Sequence, residues 1–199
     1  MTYPEFYNRV PSIVLQDPLS DFLGAFDDGI IEYTYLDVVK MAGHSCPTIA
    51  GAYIITLKAL QYLYKEEIPQ RGDIAISFQG PFNEGVNGVI AQVFSQITGA
   101  TEFGGFKGIG GKYVRHSLMD FDAPIRGDYK FIRKDTGASL CLSYSPNAPI
   151  DSRQQVLMQK IMMGQASPQE KKLFGEIWQT RVAFILQGTN DYDDMIEIV

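Results

Sequence analysis

Sulfur and imidazole are scarce in this chain, which carries two cysteines and two histidines in 199 residues. Cys46 and Cys141 are too few for a disulfide scaffold, although one bridge between them stays open. With only His44 and His116 available, no Ser-His-Asp set can be assembled, and neither histidine lies near a nucleophile-elbow pattern. A basic excess is missing too. Lys+Arg 17 against Asp+Glu 23 gives a net charge of −6, which leaves no electrostatic footprint for nucleic acid. The first ten residues show no basic stretch leading into an apolar one, so no signal peptide is expected. The long apolar run after Pro47 is interrupted by Lys58 and Gln61, which argues for a core helix and against a membrane span. A soluble cytoplasmic protein is the expectation, with 45% hydrophobic residues to build its own core.

The stretch around which the chain is organised is Gly43-His44-Ser45-Cys46-Pro47. Proline suits the first turn of a helix, where its missing N–H costs nothing. Cys46 is therefore expected at or just before the N-terminus of a helix running from about Thr48 to Tyr64. The unpaired N–H groups and macrodipole of such an end favour an anionic ligand, which suits a thiol either as a nucleophile or as a metal ligand. His44, two residues upstream, is close enough to turn toward the same point. The competing reading is that both are ordinary residues beside a buried helix, because His-x-Cys is not a strong zinc spacing.

The helix is apolar on nearly every side, which marks it as central, and Ala50, Gly51 and Ala52 keep its first turns slim. Before it, the proline-containing residues 1–29 read as an irregular lead-in, Ile30–Tyr35 as a strand, and Leu36–Ala42 as a short helix closed by Gly43. After it come a strand at Ile74–Phe78, a helix from about Val86 to Thr98, and strand-like runs at Tyr113–Phe121, Tyr129–Arg133 and Ser139–Tyr144. Lys134-Asp135-Thr136-Gly137 joins the last two as a hairpin. Beyond Pro146 and Pro149 a helix is expected over Asp151–Met163. Ser167-Pro168-Gln169-Glu170, a capping box, opens another that runs to about Leu186. Met195–Val199 is a candidate closing strand.

Several tempting features are refused. The segment before Gly111-Lys112 is not a phosphate loop, since Phe106 stands where its first glycine belongs and Tyr113 replaces the metal-binding Ser or Thr. A looser anion-binding nest of Gly110, Gly111 and Lys112 stays open against a plain loop. His116 reads as a hydrogen-bonded strand residue, and Cys141 as structural. Met158, Met162 and Met163 read as packing, and the acidic cluster Asp191, Asp193 and Asp194 as a solvated tail.

Taken together, these segments resemble the FmdE-like family, named for a component of molybdenum or tungsten formylmethanofuran dehydrogenase. The residues that carry the resemblance are Gly43-His44-Ser45-Cys46-Pro47, Ile97-Thr98-Gly99-Ala100-Thr101, Gly111-Lys112-Tyr113 and the 134–137 hairpin, over roughly residues 38–145. Thr48 stands where the family has glycine and Ala100 where it has cysteine, and the C-terminal zinc finger of some members is absent. The family's Cys-x-x-Asp pair fits best on Glu84-Gly85-Val86-Asn87, while an ungapped alignment places Val89 and Gln92 there. The resemblance implies an α+β fold, a mixed or antiparallel sheet packed against a central buried helix. It divides the chain into a core over 1–147 and a C-terminal helical extension over 148–199. It also implies a homodimer and a metal site of His44, Cys46 and Glu84, with zinc first and nickel or iron as alternatives. A small anionic ligand would be held by Lys112, Gly110 and Gly111. Two readings remain, a metal-binding protein acting on or holding such a ligand, and a non-catalytic binding or assembly module with a degenerate metal site.

Overall fold

The elements run in the order β1 (Ile13–Gln16), α1 (Pro18–Phe22), β2 (Ile30–Tyr33), α2 (Tyr35–Ala42), α3 (Pro47–Tyr64), β3 (Ile74–Phe78), α4 (Asn87–Thr98), β4 (Met119–Asp120), β5 (Tyr129–Arg133), β6 (Ser139–Tyr144), α5 (Gln154–Met162), α6 (Pro168–Leu186) and β7 (Ile196–Ile198). They are taken from a computed structural model, which describes residues 2–188 and 192–199. The fold is α+β. A mixed five-stranded sheet has the order β4-β3-β5-β6-β7, with β3 and β4 parallel and the other neighbours antiparallel. β1 and β2 form a separate antiparallel pair.

The central helix is α3. Fourteen of its eighteen residues are buried, so it has no solvent face to speak of and must be covered on every side. α2, α4 and α6 pack around it, and β6 crosses it. Each fully buried Ile or Leu of α3 contributes about 1.5–3 kcal/mol of transfer free energy, and Ile54, Ile55 and Leu60 are among them. Gly51 is small for a reason that the structure makes plain. A Cβ there would lie 2.5 Å from the Tyr144 hydroxyl, so it is a side chain of β6, not another backbone, that uses the space. Lys58, buried in the middle of this apolar helix, reaches Asp193 at 2.8 Å. That pair anchors one member of the acidic cluster read as a solvated tail, although the Asp193 side chain itself stays two-thirds exposed. Asp191 lies outside the described residues.

Local signals held where they were strongest. Gly43 takes the left-handed conformation at the end of α2 (φ 76°), and Thr34 and Asp37 form a capping box at its start. Ser167 and Glu170 do the same for α6. Gly137 (φ 75°) turns the β5–β6 hairpin. Other expectations need correction. The lead-in contains β1, which pairs with β2 through Ile13–Tyr33 to Gln16–Ile30. The run 113–121 is mostly turn, with only Met119 and Asp120 pairing to β3, because Tyr113 and Ser117 both sit at positive φ and break any extended run. His116 accordingly belongs to a turn, with Nδ1 3.0 Å from Ser117 Oγ. Met158, Met162 and Met163 are exposed, not packed. Among the described residues no helix is long and apolar enough to cross a membrane.

One buried ion cluster ties the first segment to the rest. Asp17 caps α1 by accepting from the Leu19 and Ser20 amides. Its two oxygens also accept from Arg115 Nη2 and, at 2.9 Å, from Arg71 Nη1. Arg71 donates further to the carbonyls of Gln96 and Ile97 at the end of α4.

Candidate functional site

The loop from Gly43 to Cys46 is held by its third residue. Ser45 Oγ shares a hydrogen bond with the Tyr35 hydroxyl (2.8 Å), and its carbonyl accepts from Trp178 Nε1 (3.2 Å) and Gln179 Nε2 (3.3 Å) of α6. The side chains on either side of Ser45 are thereby sent in fixed directions. His44 is exposed, and its Nδ1 lies 3.0 Å from the Ala42 carbonyl, which accepts its hydrogen bond. Cys46 is the half-buried N-cap of α3 and carries a free thiol. No side chain caps this helix end, so the first-turn amides of Thr48 and Ile49 are left without a capping acceptor.

Cys46 opens onto a cleft of about 560 Å³. Pro47, Thr48, Val86, Ile90, Asp128, Tyr129, Tyr144, Pro146, Trp178 and Arg181 complete its walls. These come from the start of α3, the start of α4, the paired strands β5 and β6, and the middle of α6. Its walls are mainly aromatic and aliphatic, and the polar side chains are few. Arg181 makes no hydrogen bond or ion pair with any described residue, and its Nε is buried without an acceptor. The Tyr144 hydroxyl is buried without a partner among the described residues as well. The Tyr129 side chain is 6% exposed and its hydroxyl hydrogen-bonds no described residue. Burial pushes both phenols well above their ordinary range. The Asp128 carboxylate adds to this for Tyr129, and for Tyr144 the Tyr129 phenol adds while Arg181 pulls the other way. Both hydroxyls therefore stay protonated and able to donate. Asp128 is the one carboxylate among the described residues lining the cleft, with Oδ2 accepting the Tyr144 amide at 2.7 Å.

The other sequence-predicted residues are not brought to this cleft. Glu84 lies exposed in the loop between β3 and α4. Among the described residues no three His, Cys, Asp or Glu side chains are grouped so as to hold a metal ion, so His44, Cys46 and Glu84 do not converge. As arranged, these donors do not fit a metal held by three ligands of one chain. In the ungapped alternative, Val89 is exposed and Gln92 faces a different cleft, beside Met41, Phe82 and Phe121. Gly110 and Gly111 form the tip of a small hairpin in which Ile109 and Lys112 exchange backbone hydrogen bonds of 2.9 and 3.0 Å. Both have positive φ, as a two-residue turn of this kind demands. Lys112 is exposed there and does not line the Cys46 cleft.

What sequence reasoning missed is the polar complement of Cys46. Arg181 sits in a helix that reads as plain amphipathic cover. Tyr144 and Tyr129 read as ordinary strand aromatics. The available signal is Gly51, whose slimness in an otherwise bulky helix announces a close neighbour. Neither protein-family models nor curated proteins give a match to this chain. The functional reading therefore rests on the chemistry of the cleft.

Proposed function

We propose that the chain binds a small monoanionic ligand, a carboxylate with an aromatic or apolar body, in the cleft beside Cys46. The observation that carries this reading is the unpaired Arg181 guanidinium lining the same cleft as the uncapped N-terminus of α3. A carboxylate placed there meets a charge-assisted donor of fixed fork geometry. The first-turn amides add the partial positive charge of the helix end. Tyr129 is a further donor, and Trp178, Pro146, Val86 and Ile90 supply the apolar walls that remove the ligand's body from water. Asp128 repels a second negative charge, so a dianion is disfavoured.

The resemblance to the FmdE-like family leads to the same cleft through Cys46. The absence of a converging three-donor set among the described residues favours the non-catalytic form of that reading, a binding module without its metal. Thiol accessibility tests the proposal with benzoate as the probe. Benzoate is expected to slow alkylation of Cys46 by iodoacetamide, followed by peptide mass spectrometry, while Cys141 on β6 reacts at an unchanged rate. Equal rates at Cys46 with and without saturating benzoate would count against the site. Elemental analysis separates the metal reading. About one equivalent of zinc, nickel or iron, lost in His44→Ala and Cys46→Ala, would replace the anion-only reading with a metal-bound one.

A further inference from the structure

A second cleft, of about 280 Å³, lies away from Cys46, at the tip of the glycine hairpin. Its lining includes Arg71, Gly72, Asp73, Gly111, Arg115 and Lys134. The cleft is as polar as the first is apolar, and its charges do not balance. Asp17 is the shared acceptor of both arginines and also caps α1, so it is fully committed. Arg71 spends its remaining donors on the carbonyls of Gln96 and Ile97.

Arg115 does not. It is 7% exposed, and among the described residues only its Nη2 has an acceptor. Its Nε is buried without one, and Nη1 lies over Gly72, where a Cβ would be 1.0 Å away. Burial lowers the Arg115 pKa. Asp17 opposes that shift, and Arg71 adds to it. Lys134 makes no ion pair with any described residue; its backbone amide, not its ammonium, is bonded to Asp73. Among the described residues Asp73 is the only carboxylate lining the cleft. Among the described residues, three cations lining the cleft thus meet Asp73 within it and Asp17 behind it, which leaves one positive charge unmatched beside a small polar hollow.

We propose that this cleft is a second anion site, which takes a tetrahedral oxyanion such as a phosphoryl or sulfate group through Arg115 and Lys134. Its polar lining, not its volume, suits the oxyanion with a short appendage, where the Cys46 cleft suits an apolar body. Arginine supplies oriented donors and lysine a mobile point charge, the pairing that phosphoryl recognition uses elsewhere. Gly72 lets Arg115 lie flat against the backbone. The turn at Gly110-Gly111 brings a backbone without side chains to the rim.

Calorimetric titration of inorganic phosphate and of glycerol 3-phosphate tests the assignment at constant ionic strength. The proteins compared are wild type, Lys134→Gln and Arg181→Gln. Arg115 is left intact because it holds Asp17. Saturable binding is expected in wild type, weakened about tenfold or more in Lys134→Gln, as loss of a charged hydrogen bond implies, and unchanged in Arg181→Gln. Tighter binding of glycerol 3-phosphate would identify a phosphate ester as the natural source, and equal binding the free oxyanion; either supports the site. No saturable binding beyond chloride, or wild-type affinity in Lys134→Gln, overturns it. Loss of binding in Arg181→Gln alone would move the anion to the Cys46 cleft and also overturn it.

Discussion

Asp17→Asn is expected to destabilise the chain by about 3–5 kcal/mol, the cost of leaving buried charges without their partner. Asp17 is 4% exposed and sits between two guanidinium groups, one of them buried like itself at 7%. Asparagine keeps an acceptor for the α1 amides but removes the charge that both arginines face. Arg71 retains its carbonyl acceptors, whereas Arg115 is left with only the neutral Oδ1 that the α1 amides share. The damage should therefore centre on the loop that carries Arg115. In urea the transition midpoint should fall at an unchanged slope, because the surface exposed on unfolding is the same. A loss below about 1 kcal/mol, the range of exposed ion pairs, would mean that the arginines find water instead, and that the cluster does not hold the first segment in place.

Phe94→Ala should cost a similar amount, about 3–5 kcal/mol, by a different route. Phe94 is fully buried on α4. Its ring meets Phe131 at 5.1 Å and Tyr129 at 5.4 Å, both edge-on, and Phe78 at 5.5 Å. Removing it opens a cavity where α4 covers the sheet and also strips one wall from Tyr129, which lines the Cys46 cleft. The variant should unfold at lower urea and also bind benzoate more weakly, since Tyr129 loses its fixed position. Chemical denaturation followed by Trp178 fluorescence measures the first effect. A drop below about 1 kcal/mol, well short of the usual cost of such a truncation, would show that the surrounding rings collapse into the space.

The features legible in the sequence are those whose cause is local. Pro47 begins α3, Gly43 ends α2, and Ser167 with Glu170 opens α6, each because one residue's backbone geometry or hydrogen-bonding chemistry decides the matter. β1 is hidden. It is four residues long between Pro11 and Pro18, and its stability comes from β2, beyond an intervening helix. The alternation over 113–121 imitates a strand, yet Arg115 points inward to meet Asp17, and of the buried positions there only Met119 joins the sheet.

The candidate site divides in the same way. Cys46 at a helix N-terminus can be read directly. Its complement cannot, because Tyr129, Tyr144 and Arg181 come from strands and a helix far along the chain, and only the packing of β6 and α6 on α3 brings them there. Order along a resembling pattern draws Lys112 and Glu84 toward Cys46, whereas the hairpin at Gly110-Gly111 and the loop after β3 take them elsewhere.

The most direct test of the central claim is calorimetric titration of benzoate into wild type and Arg181→Gln. One saturable site is predicted in wild type, weakened about tenfold or more in the variant, equivalent to about 1.4 kcal/mol or more. The urea midpoint of the variant should stay close to that of wild type, because Arg181 makes no hydrogen bond or ion pair with any described residue. Equal affinity in the two proteins, or no saturable heat in wild type, would contradict the assignment of the Cys46 cleft as a carboxylate site.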